Sequence, residues 1–224
     1  MKVMAFNGSP RKKKWNTVTL LEKALEGAAS VGAETELIQL YDLNFSGCTS
    51  CFLCKKLSRK RDGICLFEDG LTPVLERVQN VDAFIIGTPV YYGTESASTR
   101  ALLERLCFPC NKYSKDVTKS LFPKRIPTGL IYTMNANEES IKALGYERQF
   151  GLTRTFLERY FGACELLFSI DTLQYSDYDK FESERFDKEA KLRRHAEVFP
   201  EDCRRAFELG VRMASGQISV PPAT

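Results

Sequence analysis

Histidine is nearly absent from this chain, since His195 is the only one among 224 residues. It lies in a stretch of charged residues, which predicts a solvated helix face. A Ser/His/Asp or Cys/His hydrolase needs a histidine beside its nucleophile, and no sequence pattern brings His195 to one. We therefore give it no role as a general base, and we assign no catalytic acid or base elsewhere in the chain.

The sequence also lacks a marked charge imbalance and long apolar runs. It carries 32 basic and 29 acidic side chains, for a net charge of +3, whereas nucleic-acid-binding proteins present a strongly basic stripe. No apolar run reaches the about 18 residues that indicate a membrane helix, and the N-terminal apolar segment is too short for a signal peptide. We expect a cytoplasmic protein that binds neither nucleic acid nor membrane.

Strand-like and helix-like apolar patterns alternate along the chain. Short continuous or alternating apolar runs predict five strands, at residues 2–6, 34–40, 83–87, 128–134 and 163–170. Apolar residues at helical spacing predict helices at residues 17–31, 71–78, 96–106, 138–161 and 200–215. The fourth of these helices is expected to break near Gly145 or Gly151.

Strands that alternate with helices form right-handed βαβ units, which build a parallel sheet with helices on both faces. Five such strands suit the flavodoxin-like doubly wound α/β fold, with strand order 2-1-3-4-5. We interpret residues 1–219 as a single domain with excursions at residues 41–69, 108–127 and 175–199. Residues 220–224 are expected to be a flexible tail.

The loop after the first predicted strand has the composition of an anion site. Residues 8–17 read Gly-Ser-Pro-Arg-Lys-Lys-Lys-Trp-Asn-Thr, so hydroxyls, an amide, a guanidinium and a helix N-terminus can face one anion. The glycines of a dinucleotide fingerprint and the Gly-Lys-Ser/Thr of a Walker A loop are missing, which leaves a terminal monophosphate. The alternative is a solvated turn in which Asn16 or Thr17 caps the helix.

A second loop, residues 87–93, follows the third predicted strand and reads Gly-Thr-Pro-Val-Tyr-Tyr-Gly. Pro89 stiffens the turn, and Gly93 lets the backbone approach a ring closely. Tyr91 and Tyr92 can stack on an aromatic ligand. Because successive strand residues face opposite sides, we expect one of these two tyrosines to belong to the core.

Eight cysteines are present, and in a reducing compartment clustered cysteines indicate a metal, cluster or redox site rather than disulfides. Three are spaced closely enough for one loop to wrap around one metal centre, namely Cys48, Cys51 and Cys54. Cys65 is a candidate fourth ligand after ten intervening residues. A [4Fe–4S] cluster, a zinc site and free thiols in a substrate-covering loop stay open. Cys107 and Cys110 form a second C-x-x-C, for which a redox dithiol is one alternative and packing as small apolar groups is the one we expect.

These stretches together resemble the NADPH-dependent FMN reductase and iron–sulfur flavoprotein branch of the flavodoxin-like superfamily. The resemblance covers about the first half of the chain. It consists of the loop at residues 8–17, the cysteine group with Glu68-Asp69, and residues 87–93 with the helix that follows. One departure is the run Lys12-Lys13-Lys14-Trp15, where the family commonly has a shorter stretch. We expect Trp15 to cover the phosphate or a neighbouring subunit.

The resemblance implies FMN as cofactor and assigns residues to it. Those implied to bind the FMN phosphate are Ser9, Arg11, Asn16 and Thr17. Those implied to lie along the isoalloxazine are Pro89, Val90, Tyr91, Tyr92 and Gly93. Those implied to approach the other edge of the flavin are Thr133, Met134 and Asn135.

The resemblance also implies an FMN-dependent oxidoreductase that takes hydride from NAD(P)H and reduces a quinone, a nitro compound, another flavin or a metal centre. One alternative is a non-enzymatic electron-transfer flavoprotein, with or without an iron–sulfur cluster, that serves an acidic redox partner. Another is a flavodoxin-like binding module that has lost FMN. Members of the family commonly form dimers or tetramers, so a homodimer or homotetramer is expected.

Overall fold

The computed structural model describes residues 1–59, 61–115 and 119–220. Six strands of this part form one sheet: β1 (Lys2–Asn7), β2 (Glu34–Gln39), β3 (Ala83–Tyr91), β4 (Thr94–Glu95), β5 (Ile126–Thr133) and β6 (Gly162–Ser169). Five are parallel in the order β2-β1-β3-β5-β6, which confirms the predicted flavodoxin-like order. The short β4 pairs antiparallel with the end of β3 and was not predicted. The tail expected at residues 220–224 lies, apart from Val220, outside the described residues.

Seven α-helices occur in the described ranges. They are α1 (Asn16–Ser30), α2 (Thr72–Val78), α3 (Ala97–Cys110), α4 (Glu138–Leu144), α5 (Tyr146–Phe161), α6 (Lys188–Glu197) and α7 (Phe199–Ala214). The predicted helix at residues 138–161 is two helices, because Gly145 adopts a φ of 66° and ends α4. Helix α6 contains His195, for which the charged sequence predicted a solvated helix face, but its bounds were not predicted because the sequence shows no apolar stripe. None of these helices has the length and apolarity that a bilayer crossing requires.

Two apolar layers cover the two faces of the sheet. Along β1, Met4 and Phe6 belong to the layer that includes α2, α3 and α5. Val3 and Ala5 alternate with them and belong to the layer of α1 and α7. The neighbouring strand β3 is buried along its first seven residues, as expected of a central strand covered on both sides. The carboxyl ends of the parallel strands therefore meet at one edge between two helical layers.

Helices α1 and α7 touch through their backbones. A Cβ added to Gly27 would lie 2.0 Å from the carbonyl oxygen of Phe207, and one added to Gly210 would lie 1.7 Å from that of Ala24. Only glycine tolerates such an approach. The C-terminal helix is thereby fixed against the helix that follows β1.

Candidate functional site

A cavity of about 370 Å³ lies at the carboxyl ends of β1, β3 and β5. Its volume is in the range of small-molecule sites, and doubly wound sheets bind ligands at this edge. All residues implied to contact FMN line it except Tyr92 and Gly93: Ser9, Arg11, Asn16, Thr17, Pro89, Val90, Tyr91, Thr133, Met134 and Asn135. Two widely separated loops of the sequence thus enclose one space.

The cavity has further walls that the sequence did not indicate. They are Thr172, Leu173 and Gln174, which follow β6, whereas Trp15, which was expected near the phosphate, also lines the cavity. No composition pattern marks residues 172–174. Only their position after the last parallel strand could have predicted that they line the cavity, because all parallel strands of the sheet end at the same edge.

Helix α1 begins at the cavity with no side chain of the described residues capping it. Its first turn contains no acidic residue. The N–H groups of that turn and the positive end of the helix dipole are therefore free to meet an anion. The alternative of a solvated, capped turn is wrong, because Asn16 and Thr17 are buried and bond elsewhere. Asn16 Nδ2 donates to Leu173 O at 2.9 Å, and the hydroxyls of Thr17 and Thr133 lie 2.7 Å apart.

The loop before α1 is held tightly against β3 and α3. Gly8 N donates to Gly87 O at 2.8 Å, and Ser96 Oγ donates to Gly8 O at 2.6 Å. A Cβ at Gly8 would lie 1.8 Å from Thr99 Oγ1, so this position has no room for a side chain. Ser9, which is 3% exposed, follows directly and is fixed in the cavity wall.

Arg11 and Trp15 form the outer side of the same loop. The Arg11 guanidinium carbon lies 4.1 Å from the centroid of the Trp15 ring, within cation–π range. Its Nη1 donates to Gln174 O at 2.9 Å. Arg11 thereby joins the loop at residues 8–17 to the wall at residues 172–174.

The second loop is a β-hairpin that extends β3 beyond the sheet. Tyr91 pairs with Thr94, and between them Tyr92 and Gly93 have φ angles of 49° and 82°. Positive φ at both central residues is the pattern of a type I′ turn. The expectation that one of the two tyrosines is core is wrong. Tyr91 is half-exposed and lines the cavity, and Tyr92 is fully exposed, because the turn carries it out of the strand.

A buried carboxylate lies directly behind this hairpin. Glu95 is 2% exposed, and its Oε1 accepts hydrogen bonds from the hydroxyls of Tyr132 and Thr153, both at 2.7 Å. Its Oε2 accepts one from Thr94 at 2.8 Å. Burial raises the pKa of Glu95, but these hydroxyls outweigh it and hold the pKa below its ordinary value. Glu95 fixes the hairpin to β5 and α5, a role that its exposed-looking sequence context did not reveal.

The four cysteines named as candidate ligands, Cys48, Cys51, Cys54 and Cys65, line one small cavity beside α3. Thiolates are ligands for zinc and for iron–sulfur clusters, so the donor set suits either centre. Cys54 is buried, and burial raises the pKa of its thiol. No group of three or more histidine, cysteine or acidic side chains is arranged to hold a metal ion within the described ranges. The thiols converge without forming a coordination shell.

Arg105 ties both ends of the cysteine segment to α3. It is 1% exposed and donates to Ser46 O at 3.0 Å, to Phe67 O at 2.8 Å and to the Asp69 carboxylate at 2.6 Å. Its Nε donates to Cys65 Sγ at 3.0 Å. Burial raises the pKa of Asp69, but the bonds from Arg105 and from backbone N–H groups outweigh it and lower the pKa overall.

Two other groups that the sequence singled out lie away from the main cavity. Cys110 is fully buried, and burial raises the pKa of Cys107 to about 12. A redox dithiol needs an accessible thiol of low pKa, so this pair packs as apolar groups, as predicted. The ring of His195 stacks on Phe199 at a centroid distance of 4.9 Å and does not line the cavity.

The chain matches known proteins in sequence and in fold. A family model described as NADPH-dependent FMN reductase matches residues 1–122. An iron–sulfur flavoprotein of Archaeoglobus fulgidus is 39% identical over 105 residues, which are 47% of this chain and 48% of that protein. One of Methanocaldococcus jannaschii is 37% identical over 105 residues, 47% of this chain and 51% of that protein. The chain spans about half the length of the curated relatives it matches.

Two solved structures align along nearly the whole chain. The NAD(P)H:quinone oxidoreductase from Methanothermobacter marburgensis is 15% identical, with a TM-score of 0.65, over 94% of this chain and 98% of that one. An FMN-dependent NADH-azoreductase from Bacillus anthracis, in complex with FMN, is 12% identical, with a TM-score of 0.67, over 95% of this chain and 99% of that one. At such identities the similarity shows the fold alone.

Proposed function

Since the chain belongs to the NADPH-dependent FMN reductase family, we propose that it is an FMN-dependent oxidoreductase that takes electrons from NAD(P)H. The observation that carries the proposal is the cavity of about 370 Å³ between the loop at residues 8–17 and the hairpin of β3 and β4. One end of this cavity suits a monophosphate and the other suits a flat ring.

The phosphate end is built from donors. The uncapped start of α1 offers backbone N–H groups, and the side chains of Ser9, Asn16 and Thr17 line the same end. The Asn16 amide keeps a second N–H beside the one donated to Leu173 O, and the Thr17 hydroxyl can donate to a ligand while it accepts from Thr133. Arg11 supplies a guanidinium, which binds phosphate oxygens in pairs. A terminal monophosphate matches this set, whereas the glycine-rich loop that a pyrophosphate or triphosphate needs is missing from the sequence.

The ring end is built from the hairpin and the end of β5. Pro89, Val90 and Tyr91 line one side of the cavity and Met134 another. The bonds that Glu95 receives fix the hairpin to β5 and α5 through contacts within the chain itself. A wall that is set in advance orients a planar cofactor and keeps water from its covered face.

When bound, FMN supplies the redox chemistry by accepting hydride from a nicotinamide. The residues of the chain then have to bind and orient, because hydride transfer between stacked rings needs no acid or base. This agrees with a cavity lined mainly by hydroxyl, amide and apolar groups. The proposed acceptors are a quinone, a nitro compound, another flavin or a metal centre. We place the protein in the cytoplasm, as one domain over residues 1–219, in a homodimer or homotetramer.

The first test is whether the purified protein is yellow or takes up added FMN. Thr17→Val keeps the shape of a buried side chain and removes its hydroxyl from the cavity. We expect the dissociation constant for FMN to rise about tenfold, the cost of one hydrogen bond to a charged group. Thr19→Val on the same helix, outside the cavity, is the control and is expected to change nothing. A wild-type protein that is colourless and binds no added FMN refutes the proposal.

A second candidate function is electron transfer through FMN and a [4Fe–4S] cluster to a protein partner. The convergence of Cys48, Cys51, Cys54 and Cys65 on one cavity favours it, although their present spacing does not form a metal site. Protein purified without oxygen should then contain about four iron and four sulfide per chain. Cys51→Ser should remove both, while Cys203→Ser on α7 should not. Zinc without sulfide would support the zinc hypothesis instead, and neither metal nor sulfide would leave the cysteines as free thiols.

A further inference from the structure

Lys191 is a buried lysine in the most charged part of the chain. It lies on α6 and is 6% exposed, although lysine is almost never buried without partners. Its Nζ donates to Asn135 O at 3.0 Å and also contacts Asn135 Oδ1 and Asp171 Oδ1. The Phe186 ring packs 5.6 Å from the same nitrogen. The ammonium group is therefore held in one place.

Lys191 joins the two walls that close one side of the main cavity. Asn135 ends the wall that continues β5, and Asp171 precedes the wall at residues 172–174. These walls are also bonded to each other, since Thr172 N donates to Met134 O at 3.0 Å and Asn135 Nδ2 donates to Gln174 Oε1 at 2.7 Å. The cation of Lys191 lies directly behind this double wall.

The positive charge of Lys191 is only partly neutralised by the carboxylate beside it. Asp171 is the one carboxylate that reaches Nζ among the described residues, and its side chain is 37% exposed, so water screens part of its charge. Lys191 itself is shielded from water, and a charge acts more strongly through protein than through solvent. The nearby Lys188, in contrast, is 43% exposed and pairs with Asp179 on the protein surface.

We propose that Lys191 is a positioning residue for the flavin that also favours its reduced form. The proposal rests on the FMN-binding function above. Hydride donates two electrons and one proton, so the neutral ring gains one negative charge while the nicotinamide is oxidised. The resemblance places Asn135 at an edge of the ring, and a fixed cation behind Asn135 stabilises that added charge. The cation thereby strengthens the binding of reduced FMN more than it strengthens the binding of oxidised FMN.

Lys191→Met tests the proposal because it keeps the length of the side chain and removes the charge. We expect the dissociation constant of reduced FMN to rise about tenfold more than that of oxidised FMN, which for a two-electron couple lowers the midpoint potential by about 30 mV. Lys191→Arg is expected to keep most of the potential. Lys188→Met, on the same helix, is the control and should leave both dissociation constants unchanged.

Asp171→Asn tests the same charge from the opposite side. Asp171 has a φ of 53°, a conformation that asparagine adopts readily, so this variant should fold. Removing the partner carboxylate is expected to raise the midpoint potential. Equal weakening of both FMN forms by Lys191→Met, or potentials that do not change in opposite directions in the two variants, would overturn the inference. A wild-type protein without FMN affinity would instead overturn the proposed function.

Discussion

Arg105 has the largest of the fully buried side chains in the described part of the chain. A buried charge is tolerated only when it is paired and its donors are satisfied. The Asp69 carboxylate and the carbonyls of Ser46 and Phe67 satisfy this guanidinium. This ion pair is buried, whereas most ion pairs of the described residues are exposed. Its loss should therefore destabilise the cysteine segment, whose two ends Arg105 binds.

Asp69→Asn removes one partner of this buried pair and leaves the cation of Arg105 uncompensated. We expect it to lower the free energy of unfolding by about 3 kcal/mol. Asp62→Asn removes an exposed carboxylate that pairs with Arg59, and such surface pairs contribute about 1 kcal/mol or less. Urea unfolding of both variants at pH 7 makes the comparison. Equal decreases in the free energy of unfolding of the two variants would show that the buried pair of Arg105 and Asp69 stabilises the fold no more than an exposed pair does.

Among individual residues, the sequence predicted a place in the candidate site for those whose chemistry and order form a motif. The loop at residues 8–17 and the segment Pro89–Val90–Tyr91 converge as the resemblance implied. Glu95 and Lys191 were missed, because a charged residue in a polar or charged stretch predicts exposure. Only tertiary contacts show that each one is paired and buried. The turn at Tyr92 was missed because a strand pattern does not show where φ becomes positive.

At the scale of elements, the crossing of α1 and α7 depends on two glycines. Gly27 and Gly210 each face a carbonyl of the other helix at a distance that excludes a Cβ. Gly151 also lies inside a helix, α5, but nothing lies within 4 Å of its added Cβ. The chain thus contains helical glycines of two kinds, and the same substitution should have opposite effects on them.

Gly210→Ala forces the helices apart, and we expect it to lower the free energy of unfolding by about 1–3 kcal/mol, the usual cost of overpacking. Gly151→Ala meets no obstacle and should raise it by about 0.5–1 kcal/mol, because alanine loses less conformational entropy in a helix than glycine does. Thermal or urea unfolding of the two variants tests both signs. Stabilisation by Gly210→Ala would contradict the close backbone crossing.

The order and type of most elements were predicted because their apolar periodicity is strong. The five parallel strands and the helices between them follow the sequence pattern, with bounds that shift by a few residues. The elements whose bounds were not predicted are those without such a pattern. Strand β4 has two residues, too few to alternate, and the charged helix α6 buries one lysine along its length.

At the scale of the whole molecule, the titrating groups predict a stability maximum near neutral pH. The pKa of Glu95 is lowered, so its contribution is complete above the unfolded value of about 4.3 and is lost as pH falls. Burial and Arg194 lower the pKa of His195. Its contribution to the free energy of unfolding is therefore complete above the unfolded value of about 6.5 and is lost as pH falls. Burial raises the pKa of Cys164 to about 12, so its contribution is complete below about pH 8.5 and is lost as pH rises.

We therefore expect the free energy of unfolding to be highest between about pH 6.5 and pH 8.5 and to fall on both sides. Urea unfolding in the presence of a reductant, from pH 4 to pH 10, measures this profile. Cys164→Ala should reduce the alkaline slope, whereas Cys51→Ala, which alters an exposed thiol, should not. An alkaline slope that Cys164→Ala leaves unchanged would mean that this thiol does not titrate with unfolding.

The two attachment points of Arg105 have a consequence for how this protein can vary. Ser46 and Phe67 are brought to one guanidinium, so the chain between them begins and ends at the same place on α3. A segment closed in this way can gain or lose residues at its outer part, such as between Lys56 and Arg59, at little entropic cost. The outer turn is thus the part of the cysteine segment whose length can change, whereas Cys54, Ile64 and Cys65 are buried and constrain the rest.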